Sequence, residues 1–250
     1  MSQPAFSALS PLPFEIIYED GELLESDWHV KQGPLLDEGI VRAMQAQNRT
    51  DFHVGVNQGV YYSVEQAREV HDEETKGLPK KAFRGPDLFW IGGVSNHLRT
   101  AWISWEEGGR LPEVIVELLS PKTAKIDRTV KKDLYAQVFG TSEYFLVDPS
   151  TRRVEGFDLV GGVYQPKTPT TQGRLWCRQF DAYLGFRHGV RFRVEGDWVR
   201  LFDRDGNLLL TGEEEAEAER GRAEAERRQR LEAEAELARV RARLKEAGLE

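Results

Sequence analysis

One carboxylate in an unfavourable place constrains this chain more than anything else in it. Val114-Ile115-Val116-Glu117-Leu118-Leu119 is an apolar, β-branched run of the kind that builds a central buried strand. Glu117 sits in its middle, and period two sets Ile115, Glu117 and Leu119 on one face. A carboxylate there is costly unless it is ion-paired, hydrogen-bonded or metal-bound. Any fold the chain adopts must supply such a partner inside its core.

The flanking residues narrow the choice. Ser120-Pro121 breaks the strand, residues 122–128 read as a polar loop, and Thr129–Val138 reads as a helix. Lys131 and Lys132 then fall in the first turn of that helix, where the macrodipole prefers anions. Two features that cost stability, side by side, point to function. Upstream, Asp87 opens a compact apolar strand, Asp87–Ile91, behind Gly85-Pro86. Two carboxylates on neighbouring strands can hold a divalent cation such as Mg²⁺, with Mn²⁺ as a substitute. The cation activates water and offsets charge on a scissile phosphate. A lysine beside it orients or helps deprotonate that water. The chemistry this order suggests is metal-assisted phosphodiester hydrolysis. The bland alternatives are an ion pair between Glu117 and a core-facing Lys or Arg, and Asp87 as a turn residue after Pro86.

The rest of the body mixes α and β signals. A helix is expected over Asp37–Gln47 and a strand over His53–Ser63. Ser63 with Gln66 at the third helical position predicts a capping box for a short helix through Val70. Strands are expected at Glu143–Val147, Val154–Val160, Val163–Lys167, Val190–Val194 and Trp198–Phe202, with a hairpin turn at Asp205-Gly206 before Leu208–Leu210. Trp90, Trp102 and Trp105 read as core or dimer-contact aromatics rather than base-stacking platforms. His29, His53, His71, His97 and His188 have no close-spaced metal motif, which argues against zinc.

The order Gly85-Pro86-Asp87, Glu117-Leu118-Leu119-Ser120-Pro121-Lys122-Thr123, Lys131, Leu134-Tyr135 and Glu143-Tyr144-Phe145-Leu146-Val147-Asp148-Pro149 resembles the Uma-two family of restriction-endonuclease-like proteins, within the PD-(D/E)XK nuclease superfamily. The resemblance covers most of residues 10–200 and is strongest over 85–149. It implies an α/β (α+β) fold: a restriction-endonuclease-like mixed central sheet flanked by helices, with extra β-hairpins and a long C-terminal helix. It implies a metal site at Asp87 and Glu117. The strict superfamily pattern places lysine at position 119, where this chain has Leu119. The resemblance assigns that role to Lys131 in the following helix, with Lys132 as neighbour. It also points to Asp37 or Glu38 as a first-helix contributor.

Composition changes at Gly212. From Glu213 to Glu250 the chain holds twelve Glu against nine Lys or Arg, no aromatic residue and no proline, so the tail carries −3 of the net charge of −8. Such a composition makes a long exposed helix. Ala233, Leu237, Val240, Leu244 and Ala247 offer a short coiled-coil seam. The domain reading is therefore 1–211 for the nuclease-like body and 212–250 for the charged helix. A net charge of −8 excludes a basic nucleic-acid coat but not a local basic cleft, and Lys122, Lys125, Arg128 and Lys132 are the candidates to track phosphates. A single cysteine, Cys177, excludes an intramolecular disulfide and makes a reducing cytoplasm the simplest compartment. The first 25 residues lack a leader pattern, and no apolar run is long enough to span a bilayer.

The leading expectation is a Mg²⁺-dependent endonuclease acting on DNA as a homodimer, with Asp87, Glu117 and Lys131 as catalytic residues. The competing class is a non-catalytic scaffold of the same fold whose charged helix binds a partner.

Overall fold

The computed structural model describes residues 26–79 and 82–247. The expectation about a leader in the first 25 residues lies outside them. The chain divides into a unit ending at Leu209 and a second beginning at Leu210.

The first unit is built on a six-stranded mixed sheet. Its strands are β1 (Phe52–Val56), β3 (Leu88–Gly92), β5 (Val114–Leu118), β6 (Glu143–Asp148), β7 (Arg153–Val160) and β8 (Val163–Pro166), hydrogen-bonded in that order. Only β5 and β6 run parallel; the other neighbours are antiparallel. A parallel pair needs a long crossover, and residues 124–139 provide it as consecutive helical pieces. These are α3 (Ala124–Ile126), a π-turn over Asp127–Lys131, α4 (Lys132–Leu134) and a second π-turn over Tyr135–Phe139. This is the mixed sheet with flanking helices that the resemblance implies.

Both faces of the central strands are covered, which is why β3, β5 and β6 read as unbroken apolar runs. One face packs Leu88, Trp90, Val114, Val116, Phe145 and Val147 against helix α1 (Asp27–Ala46) and a small antiparallel sheet. That sheet orders β11 (Val194–Phe202), β10 (Ala182–Arg191) and β9 (Leu175–Cys177). The opposite face packs Phe89, Ile91, Ile115, Leu119, Tyr144 and Leu146 against Tyr135 and Phe139 of the crossover. Glu117 points to this second face, as the period of two requires. Trp90 and Trp102 are fully buried, in keeping with the core reading.

Helix α1 is longer than the spacing at 37–47 predicts. Ser26 caps it, its side chain accepting from the His29 amide, and Pro34 lies inside it. Gln32, fully buried, clamps α1 to β11: its Nε2 donates to the Val199 carbonyl and its Oε1 accepts from the Val199 amide, both at 2.9 Å.

Four further expectations are corrected. The run at 53–63 is two strands, β1 and β2 (Val60–Tyr61), because Asn57 takes a left-handed φ of 47° and turns the chain; β2 pairs with β4 (Trp102–Ile103) in a separate two-stranded sheet. Helix α2 (Val64–Lys76) outlasts Val70, and Gln66 does not complete a capping box but donates to the Phe83 carbonyl at 2.6 Å. The strand expected at Val190–Val194 is instead a hairpin tip: Phe192 and Arg193 both have positive φ, and the chain reverses between β10 and β11. A single bridge, Phe202 to Leu208, stands where a strand at Leu208–Leu210 is expected.

The second unit is α5 (Gly212–Glu246), opened by a capping box in which Thr211 and Glu214 satisfy each other's amides. Its Leu237, Val240 and Leu244 are exposed. Among the described residues no helix is long and apolar enough to cross a membrane.

Candidate functional site

The site forms where β3 begins and β5 ends. Leu88 pairs with Val116 in the antiparallel register, so Asp87 comes alongside Glu117. The Asp87 amide lies 3.4 Å from Glu117 Oε2, and Asp87 Oδ2 accepts from the Leu118 amide at 2.6 Å. The two carboxylates expected from the sequence therefore share one strand end and one face.

Glu117 is 0% exposed and is surrounded by donors. Lys131 Nζ is 3.0 Å from both of its oxygens, and the Tyr135 hydroxyl donates to Oε1 at 2.5 Å. Lys131 thus folds back over the strand end from the crossover. It does not lie at a helix start, however. Helical structure begins at Ala124, so the argument from an opposed macrodipole does not apply. Lys131 closes a π-turn over Asp127–Lys131. Tyr144 on β6 donates its hydroxyl to the Asp127 carbonyl at 2.9 Å, inserting a side chain into the helical ladder where the turn widens.

Asp127 is a third carboxylate that the sequence reading passed over. It is 1% exposed, and its Oδ1 lies 3.0 Å from Lys131 Nζ. That contact is off the direction of a good hydrogen bond, and neither Asp127 oxygen has a hydrogen-bond partner among the described residues.

Burial pushes the Glu117 carboxyl up to about 8; Lys131 opposes the shift, and the charges of Asp87 and Asp127 add to it. Burial also raises Asp87, with Lys131 and the Leu118 amide pulling it back. Burial alone would lower the Lys131 ammonium, but Glu117, Asp127 and Asp87 together outweigh it and hold the group above the usual lysine range. Tyr135 is raised well above the usual phenol range by burial and then by the charge of Glu117.

From the opposite side, α1 brings in His29. Its Nε2 lies 2.9 Å from the Leu118 carbonyl and its Nδ1 lies 2.7 Å from Ser26 Oγ. A carbonyl only accepts, so Nε2 carries the proton in this arrangement. Asp37 and Glu38 lie eight and nine residues beyond His29, about 12 Å further along the helix axis. The first-helix residue at the strand end is therefore His29.

The basic residues expected to track phosphates separate into two pairs. Lys122 and Lys125 are exposed beside the strand end. Arg128 pairs with Glu155 at 2.5 Å, and Lys132 stands over the Phe157 ring at 3.4 Å, so both are engaged by β7.

Carboxylate oxygens are the kind of donor a hard divalent cation takes. Asp87, Glu117 and Asp127 bring three carboxyl groups to one ammonium in a buried place. Among the described residues no three His, Cys, Asp or Glu side chains are arranged to hold an ion. The Asp87–Glu117 pair offers two oxygen ligands, and Mg²⁺, which keeps several waters, needs few from the protein.

A family model described as "putative restriction endonuclease", Uma2, matches residues 11–182, more than half of the chain. The chain belongs to the Uma-two family. No curated protein matches it. Among solved structures it is similar to a protein from Anabaena variabilis described as a "putative nuclease", with 12% identity, a TM-score of 0.41, and coverage of 65% of this chain and 81% of that one. Within this Uma-two chain, a signal for the missed residues was present in the sequence. Asp127, Lys131 and Tyr135 are spaced four apart on one run, as a single helical face requires. For His29 no local signal exists, because it meets Leu118 only through the tertiary fold.

Proposed function

We propose that this protein is a Mg²⁺-dependent endonuclease that hydrolyses phosphodiester bonds in DNA. The observation that carries the reading is the Lys131 ammonium 3.0 Å from both oxygens of fully buried Glu117, with Asp87 against the same strand end, in a member of the Uma-two family. Asp87 and Glu117 would hold the cation. When bound, Mg²⁺ supplies an activated water and offsets charge on the phosphate.

The chain's own residues do the rest. Lys131, held above the usual lysine range, stays protonated at neutral pH. Its role is therefore to stabilise negative charge on the phosphate, not to act as the base. Tyr135 fixes the Glu117 carboxylate by its hydrogen bond to Oε1. His29 holds the Leu118 carbonyl and so the end of β5. Lys122 and Lys125, both exposed, would contact flanking phosphates. The exposed Leu237, Val240 and Leu244 on α5 favour self-association into a homodimer through a short coiled coil.

The test is cleavage of supercoiled plasmid and of single- and double-stranded oligonucleotides in Mg²⁺, in Mn²⁺ and in EDTA. Cleavage should require the cation and vanish in Asp87→Asn, Glu117→Gln and Lys131→Met. A melting temperature indifferent to Mg²⁺ and Mn²⁺, with no cleavage of any substrate, would overturn the reading.

A further inference from the structure

The Lys131 ammonium has three carboxylate oxygens at 3.0 Å: both from Glu117 and Oδ1 from Asp127. Two carboxylates for one ammonium is more than neutralisation needs. Asp127 is also held with care. Its amide donates to the Thr123 carbonyl at 3.0 Å, and its own carbonyl accepts from Tyr144 at 2.9 Å. Yet its carboxylate, 1% exposed, makes no hydrogen bond among the described residues. An apolar side chain would occupy that turn at lower cost. Nor does Asp127 join Asp87 and Glu117 as a third ligand, since those groups do not converge on one point. It meets the same ammonium as Glu117.

The difficulty such a group resolves arises when a cation binds. A divalent ion on Glu117 takes up the carboxylate charge that holds Lys131, and it repels the ammonium. Lysine is a point charge on a flexible four-carbon stem and would swing away. A second carboxylate four residues back on the same helical face keeps it over the strand end.

We propose that Asp127 is the positioning residue for Lys131, retaining the ammonium at the site when Glu117 is committed to a cation. The inference rests on the nuclease reading above. It predicts that Asp127 matters little to the position of Lys131 without a divalent ion and decides it with one.

The test is lysine acetylation of the full chain by an N-hydroxysuccinimide ester, with and without Mg²⁺. The extent at Lys131 is read by peptide mass spectrometry, with exposed Lys122 and Lys125 as internal controls. In the wild type Lys131 should stay protected in both conditions. In Asp127→Asn it should stay protected without Mg²⁺ and become several-fold more reactive with it. Asp127→Glu should restore protection. Cleavage by Asp127→Asn should lose kcat by about 10- to 100-fold with little change in KM, as for a group that orients a reacting one. If Asp127→Asn does not fold, the smaller neutral Asp127→Ser reads the same effect. Loss of the Mg²⁺-induced rise in melting temperature in Asp127→Asn would make Asp127 a ligand and overturn the inference. An intact rise with unchanged Lys131 labelling would overturn the inference alone. A wild-type chain with no rise would overturn the nuclease reading and this inference together.

Discussion

Replacing Glu117 with Gln keeps the shape of the side chain and removes its charge. Considered by itself, a buried glutamate paired with a lysine should be costly to neutralise, by about 3–5 kcal/mol, because the cation is left without a partner. The structure changes that expectation. Lys131 keeps Asp127 at 3.0 Å, so it is not orphaned, and the excess of carboxylates over ammonium falls. What remains is a dependence on pH. With the folded carboxyl pushed up to about 8 from an ordinary 4.5, the native state holds a proton through a range in which the unfolded chain has lost it. The stability this group contributes is therefore complete below pH 4.5, declines as pH rises, and is gone above about pH 8. At about 1.36 kcal/mol per unit, the wild type should lose about 3–4 kcal/mol relative to Glu117→Gln between pH 5 and pH 8. The assay is urea denaturation of both proteins in EDTA across that range. Glu117→Gln should be close to the wild type at pH 5 and gain steadily on it toward pH 8. It should also lose the melting-temperature rise in Mg²⁺ and all cleavage. A stability difference that is constant with pH would refute the electrostatic account. A uniform deficit of 3–5 kcal/mol would show that Glu117 serves only as the partner of Lys131.

Lys131→Met removes the one ammonium among three buried or half-buried carboxylates; stability at pH 8 should fall by about 3–5 kcal/mol, less at pH 5, and Mg²⁺ should raise the melting temperature more than in the wild type. Glu143→Gln is the contrasting case, because this equally buried glutamate accepts from the Arg178 and Gln179 amides and from Lys167 at 2.7 Å. Its loss should lower stability by about 3 kcal/mol in denaturation, the scale of one or two charge-assisted bonds, with the Mg²⁺ response unchanged. Removing residues 213–250 should leave cooperative unfolding and cleavage intact, since α5 buries none of its residues. Sedimentation of that truncated chain should show a smaller particle if the exposed leucines of α5 mediate self-association.

The sequence by itself determined that this chain builds a buried strand with an anomalous carboxylate. A one-dimensional pattern is enough for that, because burial follows from an apolar run and cost follows from charge. It also placed Asp87 before a second strand and a run of lysines after the first, and the spacing of the motifs carried the resemblance to the Uma-two family. Helix ends and turns were harder to read. The hairpin tip at Phe192-Arg193 carries no Gly or Asn signal, and the helical start at Ala124 was masked by a polar run with lysines. Glu143 shows the limit most clearly. Like Glu117 it is a fully buried glutamate in the central sheet, yet its partners come from residues 24 to 36 positions later in the chain. Glu143 shares Lys167 with Asp158 and accepts from two backbone amides, whereas Glu117 shares Lys131 with Asp127 and accepts from a tyrosine; which set each glutamate meets is a question of what packs across it. Only the tertiary structure decided that the helix after β5 turns Asp127, Lys131 and Tyr135 toward Glu117. Only it brought His29 to the Leu118 carbonyl from 89 residues away. The physical reason is that charge at a site is a sum over neighbours in space, and those neighbours are fixed by strand register and helix crossover, not by adjacency along the chain.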